Sequence, residues 1–93
     1  MDNWQTITLD NINDLPSSWG CYAFVVAGVV VYIGRSKMLW NRIRRHPMIK
    51  RLRDEVEVQL KYSLDTDDYD REKELVREYK PIYNVEYICK HPG

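Results

Sequence analysis

The clearest pattern of apolar and polar positions in the chain is a strict alternation. Val56, Val58, Leu60, Tyr62 and Leu64 are interleaved with Glu57, Gln59, Lys61 and Ser63, the pattern of a strand with one buried face. A second apolar run, Cys21 to Ile33, is broken only by Gly28 and reads as two strands of a hairpin. If Tyr22 and Tyr32 are to project from one face directly opposite each other, Val25 faces Val29 and Val26-Ala27-Gly28 form the loop. A two-residue Ala27-Gly28 turn would place them on opposite faces. Three-residue hairpin loops favour glycine in the left-handed region, so Gly28 is expected at positive φ. Residues 4 to 9 can form a further short strand, and Asn11 to Ser18 reads as a loop marked by Asp14, Pro16 and two serines.

Helical periodicity fills the rest. Ser36 is placed to cap a helix through Arg45, which Pro47 interrupts because the residue before proline avoids helical geometry. A second short helix then runs to about Arg53. Asp65 or Thr66 can cap a third helix, which ends at Tyr79 before Lys80-Pro81. At 100° per residue, Tyr69, Leu75, Val76 and Tyr79 fall in one sector with Glu72 in its middle. In the first helix, Met38, Leu39 and Ile43 share a sector with Arg42 and His46. An ionised group on an apolar face needs compensation. An Arg42–Glu72 ion pair or a functional site would supply it.

Composition and charge narrow the classes. The 93 residues suit one domain, with a core at about 15 to 84, a strand or loop extension over 1 to 14 and a C-terminal extension over 85 to 93. With 44% hydrophobic and 30% charged residues the composition is that of a soluble globular protein. No apolar stretch is long enough to span a membrane and nothing resembles a signal peptide. Cys21 and Cys89 lack metal-ligand or disulfide-framework spacing and read as reduced thiols, which suggests a cytoplasmic setting. The formal net charge of zero conceals an asymmetry: from Arg35 to Arg53 every charged side chain is basic, while acids dominate from Asp54 to Glu74. That basic segment, with Arg35, Lys37, Arg44, Arg45, Lys50 and Arg51, is a candidate phosphate-backbone footprint or a solvated helix face.

Taken together, Gly20-Cys21-Tyr22, Tyr32-Ile33-Gly34, Ser36, Arg42, His46, Glu72 and Pro81-Ile82-Tyr83-Asn84 resemble the catalytic module of the GIY-YIG nuclease superfamily. The resemblance covers about Leu15 to Asn84. The stretch from Glu72 to Asn84 is especially similar to that of the bacterial nucleotide excision repair incision subunits. Cys21 stands where isoleucine or valine is usual, and remains small and apolar.

The resemblance implies an α+β fold, a small three-stranded antiparallel sheet with helices packed on it. It also implies metal-dependent hydrolysis of DNA phosphodiester bonds to 5′-phosphate and 3′-hydroxyl ends. Glu72 would hold one divalent cation, Mg²⁺ or Mn²⁺, because a hard cation takes oxygen ligands and retains waters. Arg42 would donate to a phosphate oxygen. Tyr22 would act as base for the attacking water, with Tyr32 positioning the water or Tyr22. A phenol with a reference pKa near ~10 needs a cation or polarised water beside it for that role. His46 would orient a phosphate or share a proton, and Asn84 would fix Glu72 or the loop over it. Arg35, Ser36, Lys37, Arg44, Arg45, Lys50 and Arg51 would contact nucleic acid. A binding module that does not cut, or a protein-interaction domain on the same scaffold, remains the alternative, since fold alone does not decide. Family members gain specificity from attached domains or insertions, and this chain reads as a bare catalytic module, so a homodimer or a separate specificity partner is open beside recognition of a DNA structure.

Overall fold

The computed structural model describes residues 4–64 and 69–84, without the side chains of Tyr69 and Asp70. The expected helix cap at Asp65 or Thr66, and Cys89, lie outside the described residues. The elements are β1 (Gln5–Thr8), a 3₁₀ turn (Leu9–Asp14), β2 (Gly20–Val26), β3 (Val29–Ser36), α1 (Leu39–Arg44), α2 (Pro47–Arg51), β4 (Val58–Ser63) and α3 (Tyr69–Tyr79). The sheet is antiparallel with order β1-β4-β2-β3. It has four strands, not three, because residues 5–8 pair along β4, with Ile7 opposite Leu60. The alternating stretch forms a shorter strand than its pattern spans. Glu57 takes a positive φ of 56° and ends the ladder, which leaves Val56 exposed.

The hairpin differs in register from the expectation. Val26 pairs with Val29 and Val25 with Val30, so Ala27-Gly28 is a two-residue turn, with φ of 49° and 81°. Positive φ at both central residues is what a type I′ turn requires, and Gly28 is in the left-handed region as expected. The register then shifts between Phe24 and Val25. Phe24 pairs with Tyr32 and Tyr22 with Gly34, leaving Val31 as an extra residue in β3. This bulge reverses the consequence of the tight turn. Tyr22 and Tyr32 are not cross-strand partners, yet both project from the same face, with ring centroids 6.3 Å apart and planes 25° apart.

The sheet separates two apolar clusters. On one face Tyr22, Phe24, Tyr32 and Leu60 pack with Leu39 and Ile43 of α1, Met48 of α2, Leu52 and Leu15. On the other, Ala23 and Ile33 meet Leu75 of α3, with Val76 and Trp4 at the margin. The helix periodicity is only partly realised. Leu39, Ile43 and Leu75 are buried, whereas Met38 and Tyr79 are largely exposed, because α1 is one short helix and Tyr79 ends α3. Met38, not Ser36, occupies the N-cap of α1; Ser36 Oγ instead accepts a hydrogen bond from the Met38 N–H at 3.0 Å. Beyond α3, Lys80 turns the chain with φ of 45°.

Strand β3 is an edge, and its outward backbone groups at Ile33 are occupied by one side chain. Asn84 Oδ1 accepts from the Ile33 N–H at 2.7 Å, and Asn84 Nδ2 donates to the Ile33 carbonyl at 2.8 Å. The amide thus acts as a one-residue strand. Asn84→Ala removes both bonds and is expected to destabilise the fold by about 1–3 kcal/mol in chemical denaturation. Asn84→Asp is expected to recover little at neutral pH, because an ionised carboxylate can accept from Ile33 but not donate. An unchanged denaturation midpoint for the alanine variant would contradict this role.

Candidate active site

The face that carries Tyr22 builds an aromatic box. Tyr22, Phe24, Tyr32 and His46 are all buried, and the His46 ring centre lies 4.8 Å from Tyr32, 5.3 Å from Phe24 and 5.7 Å from Tyr22. Tyr22 leans over the backbone of β3 at Gly34. A Cβ on Gly34 would lie 2.5 Å from Tyr22 Cζ and Oη, so only glycine admits the phenol there. Sequence reading missed this role for Gly34. Its signal is a glycine two positions from Tyr32, on the same strand face.

Burial moves the titratable groups of the box toward their neutral forms. Desolvation raises the Tyr22 pKa far above the usual phenol range; Tyr32 and the Glu72 carboxylate add to the rise. The Arg42 guanidinium opposes it, both by its charge and by a hydrogen bond to Tyr22. Arg42 itself is solvent-exposed rather than seated in the apolar sector assigned to it, because its guanidinium reaches past the helix to the phenol. Glu72, half-buried on α3, has its pKa raised by burial, and the cation that counteracts this is Arg35. Arg35 and Glu72 belong to the α3 side of the sheet, while Tyr22 and Arg42 belong to the α1 side. The influences of Arg42 and Glu72 converge on the Tyr22 phenol at edge strand β3, while Arg35 acts on Glu72.

His46 has a structural task that helical periodicity did not reveal. It is the N-cap of α2, with Nδ1 accepting from the Met48 N–H at 3.1 Å and Pro47 following in the first turn. The proline that breaks the first helix starts the second, where its missing N–H costs nothing. This bond leaves the proton of the neutral ring on Nε2, which is buried without a hydrogen-bond partner among the described residues. Desolvation, reinforced by Arg42, lowers the His46 pKa to about 4.

Asn84, expected to fix Glu72 or the loop over it, hydrogen-bonds both backbone groups of Ile33 and so secures the strand between Tyr32 and Gly34. The predicted phosphate contacts divide into two groups. The first comprises Arg35 on the Glu72 side of β3, Ser36 on its opposite face, and Lys37 just past the strand. Arg44, Arg45 and Lys50 instead line a cleft of about 380 Å³ with His46, Pro47 and Ile49, on the far side of α1 and α2. Two of the expected cations stack on aromatic rings: Arg44 lies 4.1 Å from the Trp40 ring centre and Arg51 4.6 Å from that of Tyr83. Among the described residues no group of three or more His, Cys, Asp or Glu side chains converges. The Glu72 carboxylate, on α3, is a hard oxygen donor. It fits a divalent cation that keeps waters or substrate oxygens in its shell, and not a closed protein cage.

No protein-family profile matches the chain. It is 38% identical over 93 aligned residues to the UvrABC system protein C of Chlorobium phaeobacteroides, covering 86% of this chain and 14% of that protein. The corresponding protein of Lactobacillus helveticus is 32% identical over 83 residues, covering 77% and 14%. The chain thus spans about one-seventh of the length of these curated relatives. Among solved structures, it matches the GIY-YIG N-terminal endonuclease domain of UvrC from Thermotoga maritima, bound to its catalytic divalent cation, magnesium. The TM-score is 0.68 at 29% identity, over 81% of this chain and 92% of that domain. A Tyr-to-Phe point mutant of the same domain, also bound to its catalytic divalent cation, superposes with the same score at 29% identity, over 81% and 91%.

The buried histidine makes stability depend on pH. Its folded pKa lies below its unfolded one, so the unfolded chain takes up the proton first as pH falls. The His46 contribution is expected to be complete above about pH 6.5, to decline toward pH 4 and to level off below it. At ~1.4 kcal/mol per pKa unit the loss is bounded at roughly 3 kcal/mol. Denaturation midpoints across this range should fall more steeply for wild type than for His46→Phe, which at neutral pH loses only the cap. Parallel pH profiles would refute the assignment.

Proposed function

The chain belongs to the GIY-YIG nuclease superfamily, and from that premise we propose that it is a metal-dependent endonuclease. It hydrolyses DNA phosphodiester bonds to leave 5′-phosphate and 3′-hydroxyl ends. The observation that carries this reading is the convergence of Arg42 and Glu72, from opposite sides of the sheet, on the Tyr22 phenol over Gly34. A purely structural core has no use for three ionisable groups at one sheet edge, two of them held away from their usual pKa by burial.

Water attacks phosphorus in line with the departing 3′ oxygen; the new P–O bond forms as the P–O3′ bond breaks, and the attacking water gives up a proton. Glu72 would hold Mg²⁺ or Mn²⁺, which when bound supplies Lewis-acid stabilisation of charge on the scissile phosphate and the 3′ oxygen. Arg42 offers several N–H donors; with one directed at Tyr22, others can meet a phosphate oxygen as its charge grows. Tyr22 rests as a neutral phenol, because burial and Glu72 both oppose its ionisation. To act as acceptor for the water proton it must first release its own proton to solvent, which neutralising the Glu72 charge would favour by removing one of the forces holding its pKa up, and the departing 3′ oxygen takes its proton from solvent. Tyr32 packs beside Tyr22 and fixes its ring. His46, neutral and committed to capping α2, supports the box without exchanging protons near neutral pH.

With zero net charge and one basic segment, few phosphates are neutralised. Affinity is then weak, with a shallow salt dependence, and cutting at low salt shows no strict sequence requirement. Incubation with magnesium and single-stranded, duplex, flap and branched oligonucleotides tests the activity.

Glu72→Gln is expected to abolish cleavage while keeping the fold. Because burial raises the Glu72 pKa, the charged form is disfavoured in the folded state. The glutamine variant should therefore melt slightly higher than wild type at neutral pH without metal. It should also lose the rise in melting temperature that magnesium gives wild type. Cleavage by Glu72→Gln at the wild-type rate would overturn the assignment. Arg42→Ala is expected to slow cleavage roughly a hundred-fold or more, the scale at which transition-state donors act.

A further inference from the structure

Trp19 stands at the open end of the hairpin with 48% of its surface exposed, although a large indole is ordinarily well covered. The pairing Cys21 to Arg35 and Gly20 to Ser36, continued by one step, sets Trp19 opposite Lys37. The Lys37 ammonium indeed lies 6.0 Å from the centre of the Trp19 ring. Lys37 follows Ser36, the last residue of β3, and lies two positions from Arg35, the cation that acts on Glu72. Trp19 and Lys37 thus stand together at the end of the sheet, next to the strand terminus that carries Arg35. The backbone just before Trp19 is tied to α1: the Ser18 carbonyl accepts the N–H of Leu39, the first residue of that helix, at 2.9 Å. Met38, also largely exposed, adds apolar surface at the same end.

A flat apolar ring beside cations, at the margin of a phosphodiester site, has the chemistry of a base-stacking platform. Resting on the nuclease reading above, we infer that Trp19 stacks an unpaired nucleobase flanking the scissile phosphate, while Lys37 meets the adjoining phosphate. A base within an intact duplex cannot present its face to the ring. The platform therefore selects single-stranded, flapped or distorted DNA over regular duplex. A protein partner would also cover an exposed tryptophan, but the basic surroundings from Arg35 to Arg53 favour a polyanion.

The test is binding of the 93-residue chain carrying Glu72→Gln at low salt without metal, so that its outcome does not depend on cleavage. Its probes are a duplex and a matching flap oligonucleotide with 2-aminopurine in the unpaired arm. Adding Trp19→Ala should weaken flap binding about ten-fold, abolish the stacking-induced quenching of 2-aminopurine, and leave duplex affinity within two-fold. Trp19→Phe should retain most of both signals, and matching circular dichroism melts would show that the fold is kept. Equal flap affinity with and without Trp19 overturns the inference and assigns the patch to a protein partner. An equal loss on flap and duplex, or no binding of either oligonucleotide, overturns it as well. If the flap signals depend on Trp19 but wild-type protein with magnesium cuts nothing, the platform stands and the nuclease reading falls.

Discussion

The bulge at Val31 is the constraint on which the rest of the site depends. A type I′ turn at Ala27-Gly28 gives the tightest closure of the hairpin, but its register alone would point Tyr22 and Tyr32 to opposite faces. One extra residue in β3 restores the phase. From that point Tyr32 and Gly34 face α1 and α2, and Ile33 and Arg35 face α3. Removing the bulge would exchange these sets relative to β2. Gly34 would no longer lie beneath Tyr22, and Arg35 would leave the side on which Glu72 is found.

Electrostatics at this edge follow from geometry. Tyr22 and Glu72 are each pushed toward protonation and His46 toward deprotonation, all three by the same cause, burial. Two cations, Arg42 and Arg35, enter from opposite sides and offset only part of the shift. The net effect of burial is to disfavour negative charge on both acidic groups, so a cation brought to this edge would be stabilised by their ionised forms and would in turn favour them.

Much of this was legible in the chain, for reasons that differ by element. The strand alternation around Leu60 and the hairpin around Gly28 were readable because period-two patterns and a lone glycine are local signals. The strand at residues 5–8 was readable as a segment but not as a member of the sheet, since pairing with β4 is a long-range event. The site residues were expected as a set through their resemblance to a family, but their contacts within the fold were not readable. Arg42 was expected to donate to a phosphate oxygen, with an ion pair to Glu72 as the structural alternative; in the structure it hydrogen-bonds Tyr22 from an exposed position. His46 was expected to orient a phosphate or share a proton; its Nδ1 also caps α2, a role written in the neighbouring Pro47 and visible only when the second helix is known to start there. Glu57 and its positive φ carry no local signal of that kind, so the early end of β4 was unreadable.

The placement of the site on an edge strand also has a cost that Asn84 offsets. An edge exposes unpaired N–H and C=O groups that invite another strand. Ile33 lies between Tyr32 and Gly34, so any chain adding there would displace the residues around the phenol. A covering strand would remove the hazard but would close the edge to substrate. A single amide bonded to both Ile33 groups satisfies the backbone at one position and leaves the flanking length of β3 open. The edge can therefore be satisfied and accessible at once, which a complete fifth strand could not achieve.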